Sequence, residues 1–365
     1  MTQSTLLNLG ALMLAASLLV GMIVPFACRL AHRFDFLDRP GGRKKHDDDI
    51  PPVGGLVIFP VFIALAVVAG LGSSSFWAFA AAIGLLMTVG ALDDRYNLSP
   101  RVKFLAQFGA AFIIVLLGGV RVQGMGDIFG FGELWMGWMA VPFTVIAIVL
   151  LINALNLMDG LDGLAGGLGF VVCFWLLVCA LAAGDTRHAT LLAVMMGALA
   201  GFLFHNMRHP WRARARIFLG DAGSLSLGLT LAWFAIDMAG HPDTATMMPM
   251  TVAWLLALPI MDTCGQFARR VSQGRHPFSP DHNHFHHHFV TAGVSVRQAT
   301  TAILLIVFFY GVFAATIQFA GWPQALLTYP WIILLFAHMF MSVRPRRFRK
   351  LIQRLFKVNT TDGQT

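Results

Sequence analysis

Eleven predominantly apolar stretches of roughly 17–22 residues divide this 365-residue chain, at about 5–27, 53–71, 76–92, 104–120, 138–155, 164–183, 189–205, 223–239, 249–267, 300–320 and 325–342. A helix rises 1.5 Å per residue, so each stretch is about long enough to cross a hydrocarbon core. Inside lipid every backbone N–H and C=O must be bonded within the protein, which leaves the helix as the natural spanning element. The expectation is an all-α integral membrane protein with about eleven transmembrane helices. Composition agrees: only 12% of residues are charged, against about 25% in an ordinary soluble domain. No convincing signal-peptidase site follows the first stretch, and ten more come after it, so it is expected to be retained as a span.

Basic residues orient the spans. With the loop after the first span in the cytoplasm, all of the 26 Lys and Arg except Arg121 and Arg187 fall on the inner side. Such asymmetry predicts an odd number of spans, with the N-terminus outside (periplasmic, if the membrane is a bacterial inner membrane) and the C-terminus in the cytoplasm. The net charge of +8 is then a topology signal, and nucleic acid is not needed to explain it. Cys28, Cys173, Cys179 and Cys264 lie in or beside spans without metal-ligand spacing, and read as packing residues.

One polytopic domain is expected over residues 1–343, with polar inner segments at 29–52, 93–103, 153–163, 206–222 and 268–299. The Gly-rich segment 121–137 suggests a small outer hairpin. Residues 344–365 form a basic tail in which Leu351, Ile352, Leu355 and Phe356 recur at helical spacing. It is expected to be an amphipathic cytoplasmic helix lying on anionic membrane lipids, apart from the site.

The polar residues at the inner ends of the spans carry the functional argument, because carboxylates there are costly unless paired, hydrated or bound to a cation. Of 18 acidic residues only Glu133 is a glutamate. Asp93 and Asp94 are adjacent at the end of an apolar run; they repel unless a cation or Lys103 compensates, and a solvated helix end is the plain alternative. Asn153, Asn156, Asp159 and Asp162 recur every third residue in NALNLMDGLDGLAGG (153–167), an oxygen-rich set suited to Mg²⁺. Asp221 in FLGDAGS (218–224) is either a helix cap or, beside Arg208, Arg212, Arg214 and Arg216, a metal ligand near phosphates. His282, His284, His286, His287 and His288 crowd one loop, where zinc and a gripped pyrophosphate compete as readings. Lys44, Lys45 and His46 stand before PPVGG (51–55), whose prolines and glycines fix an irregular backbone.

In this order, PPVGG, ALDDRYNLSPRVKFLAQ (91–107), NALNLMDGLDGLAGG, FLGDAGS and HNHFHHH (282–288) resemble the motifs of the polyprenyl-phosphate N-acetylhexosamine-1-phosphate transferases. The His284-Phe285-His286-His287 pattern is similar to the branch that uses UDP-GlcNAc. The resemblance implies transfer of GlcNAc-1-phosphate from UDP-GlcNAc to undecaprenyl phosphate, with UMP released, at the cytoplasmic face. Another UDP-N-acetylsugar, the muramoyl-pentapeptide or a FucNAc or QuiNAc donor, is the alternative. It also implies Asp221 and Asn156 as ligands of Mg²⁺, for which Mn²⁺ can substitute, and Asp93 as acceptor of a proton from the lipid phosphate with Asp94 beside it. Asp159 and Asp162 would lie around nucleotide and metal, with Asp159 and His286 among the catalytic groups. Lys45, Asn153, His284 and His287 would hold the substrates. A homodimer is compatible with the family. Two rivals come from other classes: an ion-coupled transporter, for which Asp237 and Asp262 are the mid-span acids, and a zinc hydrolase.

Overall fold

The computed structural model describes residues 3–38, 49–276 and 283–358. Among these the chain is helical throughout, with three isolated bridges in place of any strand. The helices are α1 (Gln3–Arg33), α2 (Gly54–Val68), α3 (Ser74–Tyr96), α4 (Pro100–Phe112), α5 (Ala140–Met158), α6 (Leu164–Ala183), α7 (Thr186–Asn206), α8 (Gly220–Ala239), α9 (Pro249–Leu255), α10 (Ala257–Ser272), α11 (Phe285–Thr291), α12 (Val296–Phe319), α13 (Ala325–Val343) and α14 (Pro345–Phe356). Nine of the described helices are long and apolar enough to cross a membrane, α4 being extended through Leu117 and α5 starting from Gly137.

Two of the eleven expected spans take another form. α2 is an apolar helix of only 15 residues. The stretch expected at 249–267 is broken at Leu256 into α9 and α10. Pro259 lacks the N–H that would reach Leu255, which removes one helical hydrogen bond at the break. After the break, α10 carries Asp262, Gln266, Arg269 and Arg270 to the polar end of the bundle.

α8 is the axis of the bundle. Of its apolar window 94% is buried, against 17% for α1 and for α13, which line the periphery. Lipid gives helices no hydrophobic reason to associate, so close backbone approach has to supply the contact. At its inner end α8 is met by Gly55 of α2 and Gly90 of α3, where an added Cβ would overlap Gly223 and Ala222. The PPVGG segment is zipped to the strip before α8: Phe218 N donates to Pro51 O (3.0 Å), and Gly54 N and Gly55 N donate to Phe218 O and Leu219 O (both 2.9 Å). The irregular backbone expected at 51–55 thus fixes where α8 begins. On the opposite side, residues 123–136 close as the expected small hairpin, with Met125 N donating to Leu134 O (2.9 Å) and Leu134 N to Gly126 O (3.0 Å).

Candidate active site

Three of the sequence clusters converge where α3, α4, α5 and α8 end together. Lys103, in the first turn of α4, places its ammonium 2.6 Å from Asp93 Oδ2 and 3.0 Å from Asp221 Oδ2. Asn156, in the last turn of α5, donates to Asp221 Oδ1 (2.8 Å) and to Ser224 Oγ (2.9 Å). Asp94 accepts from the backbone N–H groups of Asp221 (3.0 Å) and Ala222 (3.4 Å). It therefore caps the N-terminus of α8 from another helix, where the free N–H groups and the helix dipole favour a carboxylate. Asp221 is consequently not the cap of its own helix, and both its oxygens face the cluster. Gly220, at φ +75°, makes the turn into α8; a Cβ there would lie 2.5 Å from Pro52 O and 2.8 Å from Asp94 Oδ2.

Asp93 has two tasks. Its Oδ1 accepts from Leu98 N (2.7 Å) and closes the turn between α3 and α4, while Oδ2 holds Lys103. The plain helix-end reading thus describes Oδ1, while Oδ2 faces the cluster. One turn below Asn156, Asn153 exchanges hydrogen bonds with Gln107 (2.6 and 3.3 Å) and donates to Val149 O (2.8 Å). That amide pair forms the floor of the cluster.

Asp159 caps the C-terminus of α5, and burial together with the charges of Asp221 and Asp162 pushes its carboxyl up to about 7. Asp162 turns away to Arg208, whose Nε donates to it (2.6 Å), and to Ala215 N (3.4 Å). Between them, Gly160 passes directly beneath the imidazole of His286; an added Cβ would overlap His286 Nε2. Both ring nitrogens of His286 are buried without a hydrogen-bond partner among the described residues. Burial and the neighbouring His287 push His286 down to about 3, so it is neutral at physiological pH. His284 stacks on it (5.9 Å, 8°), and His287 lies 4.1 Å away. His284 itself is fixed from α10: its Nδ1 is 3.1 Å from Asp262 Oδ2, and Asp262 Oδ1 accepts from Phe285 N (2.9 Å).

Each expected site residue except one therefore borders this region. The exception, Lys45, lies outside the described residues, as do Lys44, His46 and His282. Lys103 was legible only as a compensating charge, yet it is the central cation. Asp262 reads in the sequence as a transporter-like mid-span acid and is the anchor of His284. Asp237, the other such acid, pairs with Arg187 (3.3 Å) and His188 (3.0 Å) at the far end of α8.

The donor set fits a hard divalent cation. The Asp221 carboxylate and the Asn156 amide meet here, the amide nitrogen donating to Asp221 Oδ1, and the Lys103 ammonium already stands as a cation between Asp221 and Asp93. Among the described residues no three His, Cys, Asp or Glu side chains form a cage by themselves. A Mg²⁺ here would take one or two carboxylates together with substrate phosphates and water.

An acidic cluster with one lysine, facing a histidine group at one end of a membrane bundle, is suited to handling phosphates between lipid and water. The chain is a membrane transferase and belongs to glycosyl transferase family 4, whose family model matches residues 76–239 and so contains Asp93, Asp94, Asn156, Asp159, Asp162 and Asp221. It is similar, at 32% identity over 98% of this chain and 100% of the relative, to the probable undecaprenyl-phosphate N-acetylglucosaminyl 1-phosphate transferase of Bacillus subtilis. It is also similar to the undecaprenyl-phosphate alpha-N-acetylglucosaminyl 1-phosphate transferase of Escherichia coli K12, at 29% identity over 96% of this chain and 95% of the relative.

Proposed function

We propose that this chain transfers GlcNAc-1-phosphate from UDP-GlcNAc to undecaprenyl phosphate at the cytoplasmic face of a bacterial inner membrane. The observation that carries this reading is the Asp93–Lys103–Asp221–Asn156 cluster at the mouth of the bundle. The names of the relatives support the substrates. The basic asymmetry supports the orientation, with α2 and the broken α9–α10 completing eleven crossings.

An oxygen of the lipid phosphate attacks the β-phosphorus of the donor, the bond from that phosphorus to the UMP oxygen breaks, and UMP leaves as undecaprenyl-pyrophosphoryl-GlcNAc forms. The reaction gathers several negative charges, so catalysis is mostly positioning and neutralisation. Asp93 receives any proton the acceptor carries, and the Lys103 ammonium neutralises the approaching phosphates. Asp94 holds Asp221 in place through the α8 backbone. His286, neutral and without a protein partner, offers a donor and an acceptor to the donor sugar or pyrophosphate, with His284 and His287 beside it. Asp221 and Asn156 would hold Mg²⁺ or Mn²⁺, which supplies positive charge to the pyrophosphate and the leaving group.

Purified protein in vesicles is expected to release UMP from UDP-GlcNAc only when undecaprenyl phosphate and Mg²⁺ are both present. A panel of UDP-N-acetylhexosamines with that acceptor fixes the sugar. Release that depends on zinc, or none with any donor of the panel, refutes the reading.

A further inference from the structure

The basic tail was expected as a surface anchor separate from the chemistry. In the structure one stripe of α14 holds the histidine helix, and two exposed leucines flank that stripe. Phe348 lies against Phe285 (5.5 Å) and His288 (5.0 Å), and Phe356 against Phe289 (5.7 Å). Ile352 between them is only 2% exposed. Arg349 donates to Asn283 Oδ1 (2.9 Å), and the carbonyl of the same Asn283 accepts from Gln266 (2.7 Å) and Arg269 (2.8 Å) of α10. The residue directly before His284 is thus gripped from α10 and from α14 together.

Beside the packed stripe, Leu351 and Leu355, one turn apart, are 44% and 69% exposed. Beyond them lie Arg346, Arg347, Lys350 and Arg354, all exposed, and no acidic residue occurs between Arg344 and Val358. Two exposed leucines bordered by a row of cations complement an anionic lipid surface, with the leucines entering the acyl boundary and the cations meeting headgroup phosphates. The connectivity places the helix where such a surface is. α13 is long and apolar enough to span and ends at Val343, and only Arg344 separates it from Pro345 of α14. α14 therefore leaves the bundle at the membrane boundary, on the side that carries the histidines.

We infer that α14 is a lipid-responsive clamp: its Leu351/Leu355 face docks on the anionic phospholipid surface of the membrane in which the protein sits, and that docking presses the Phe348/Ile352/Phe356 face onto α11 to order the histidine group. The occupant is an anionic phospholipid bilayer, because a protein partner with no apolar entry site would leave the two leucines in water. The consequence for turnover rests on the transferase reading above; the docking and the ordering of α11 do not.

The test uses the full chain in phosphatidylcholine vesicles with and without phosphatidylglycerol, reading amide hydrogen exchange over residues 285–291 and 345–356 alongside UMP release. Phosphatidylglycerol is expected to slow exchange in both helices by about fivefold or more and to raise UMP release in parallel. The double variant Leu351→Ser/Leu355→Ser, which leaves Phe348, Ile352 and Phe356 in place, should lose both responses while matching the native protein in phosphatidylcholine alone. Arg347→Gln/Lys350→Gln should lose most of the response and regain none at higher salt. Exchange in α11 that ignores the lipid, or a full response in the leucine variant, overturns the inference. A lipid response in both helices without UMP release from any donor supports the clamp and counts against the reaction instead.

Discussion

α8 carries a carboxylate near each end, Asp221 and Asp237, about 24 Å apart at 1.5 Å per residue, and the two ends are built on opposite principles. Around Asp237 every charge is matched. His188 lies 2.5 Å from Asp185 through Nδ1 and 3.0 Å from Asp237 through Nε2, and Arg187 bridges Asp237 (3.3 Å) and Ser73 Oγ (2.9 Å). Two carboxylates face two basic groups, and both nitrogens of the imidazole are engaged. Around Asp221, two carboxyls (Asp93 and Asp221) share one ammonium with Asp94 and Asp159 close by, and His286 keeps two buried nitrogens without a partner among the described residues. Buried polar groups are ordinarily satisfied. A closed network therefore marks a structural fastening, and an unbalanced one marks a place where another charged molecule completes the set.

Perturbing each end separately sharpens that contrast. Lys103→Met leaves Asp93 and Asp221 without their shared cation, and UMP release should fall by about a thousandfold, the scale of losing a key charge-stabilising group. Lys103→Arg should recover only part of it. Gly160→Ala forces His286 from its seat, and a loss of about a hundredfold in kcat/KM is expected from misplacement alone. Its helical content by circular dichroism should stay native. At the far end Arg187→Met should leave turnover within about threefold of native while lowering stability by roughly 1–2 kcal/mol, since the partly exposed pair is screened. Equal losses of turnover at both ends would erase the distinction.

The smallest effect is a pH dependence, read on thermal unfolding of the chelated protein. The Asp159 carboxyl stands at about 7 in the folded chain against an ordinary 3.8. Its contribution is full below the ordinary value and lost as pH rises through 7, so Asp159→Asn should be the more stable form above neutrality. His286 has the opposite sign. Its folded value of about 3 lies below the ordinary 6.5, so stability present above pH 6.5 drains away as pH falls toward 3, and His286→Gln should flatten that acid limb.

Much of the site was legible because lipid makes polar residues expensive. Asn156, Asp159 and Asp221 at the ends of apolar runs demanded a reason, and the structure gathers them in one place. Pairing across long stretches of chain was not legible. Lys103 and Asp221 are 118 residues apart, and Asp94 caps a helix that begins 126 positions later. Nothing in local spacing announces either contact. The tail was legible as a helix but its packing was not. Apolar residues at helical spacing say that a face is buried, and they do not say whether lipid or protein buries it; Phe348 and Phe356 of α14 lie against α11. The break in the 249–267 stretch had a visible cause in Pro259, yet its consequence, the delivery of Asp262 to His284, depends on where the histidine loop folds back.

The most direct measurement compares Asp221→Asn with Asp237→Asn, the two ends of one helix, by UMP release from UDP-GlcNAc and undecaprenyl phosphate across a Mg²⁺ titration. The account predicts that Asp221→Asn loses about a thousandfold in turnover and needs more Mg²⁺ to reach its own maximum, while Asp237→Asn keeps native Mg²⁺ dependence and stays within about threefold. Near-native release by Asp221→Asn, or an equal collapse in Asp237→Asn with the protein still folded, would contradict it.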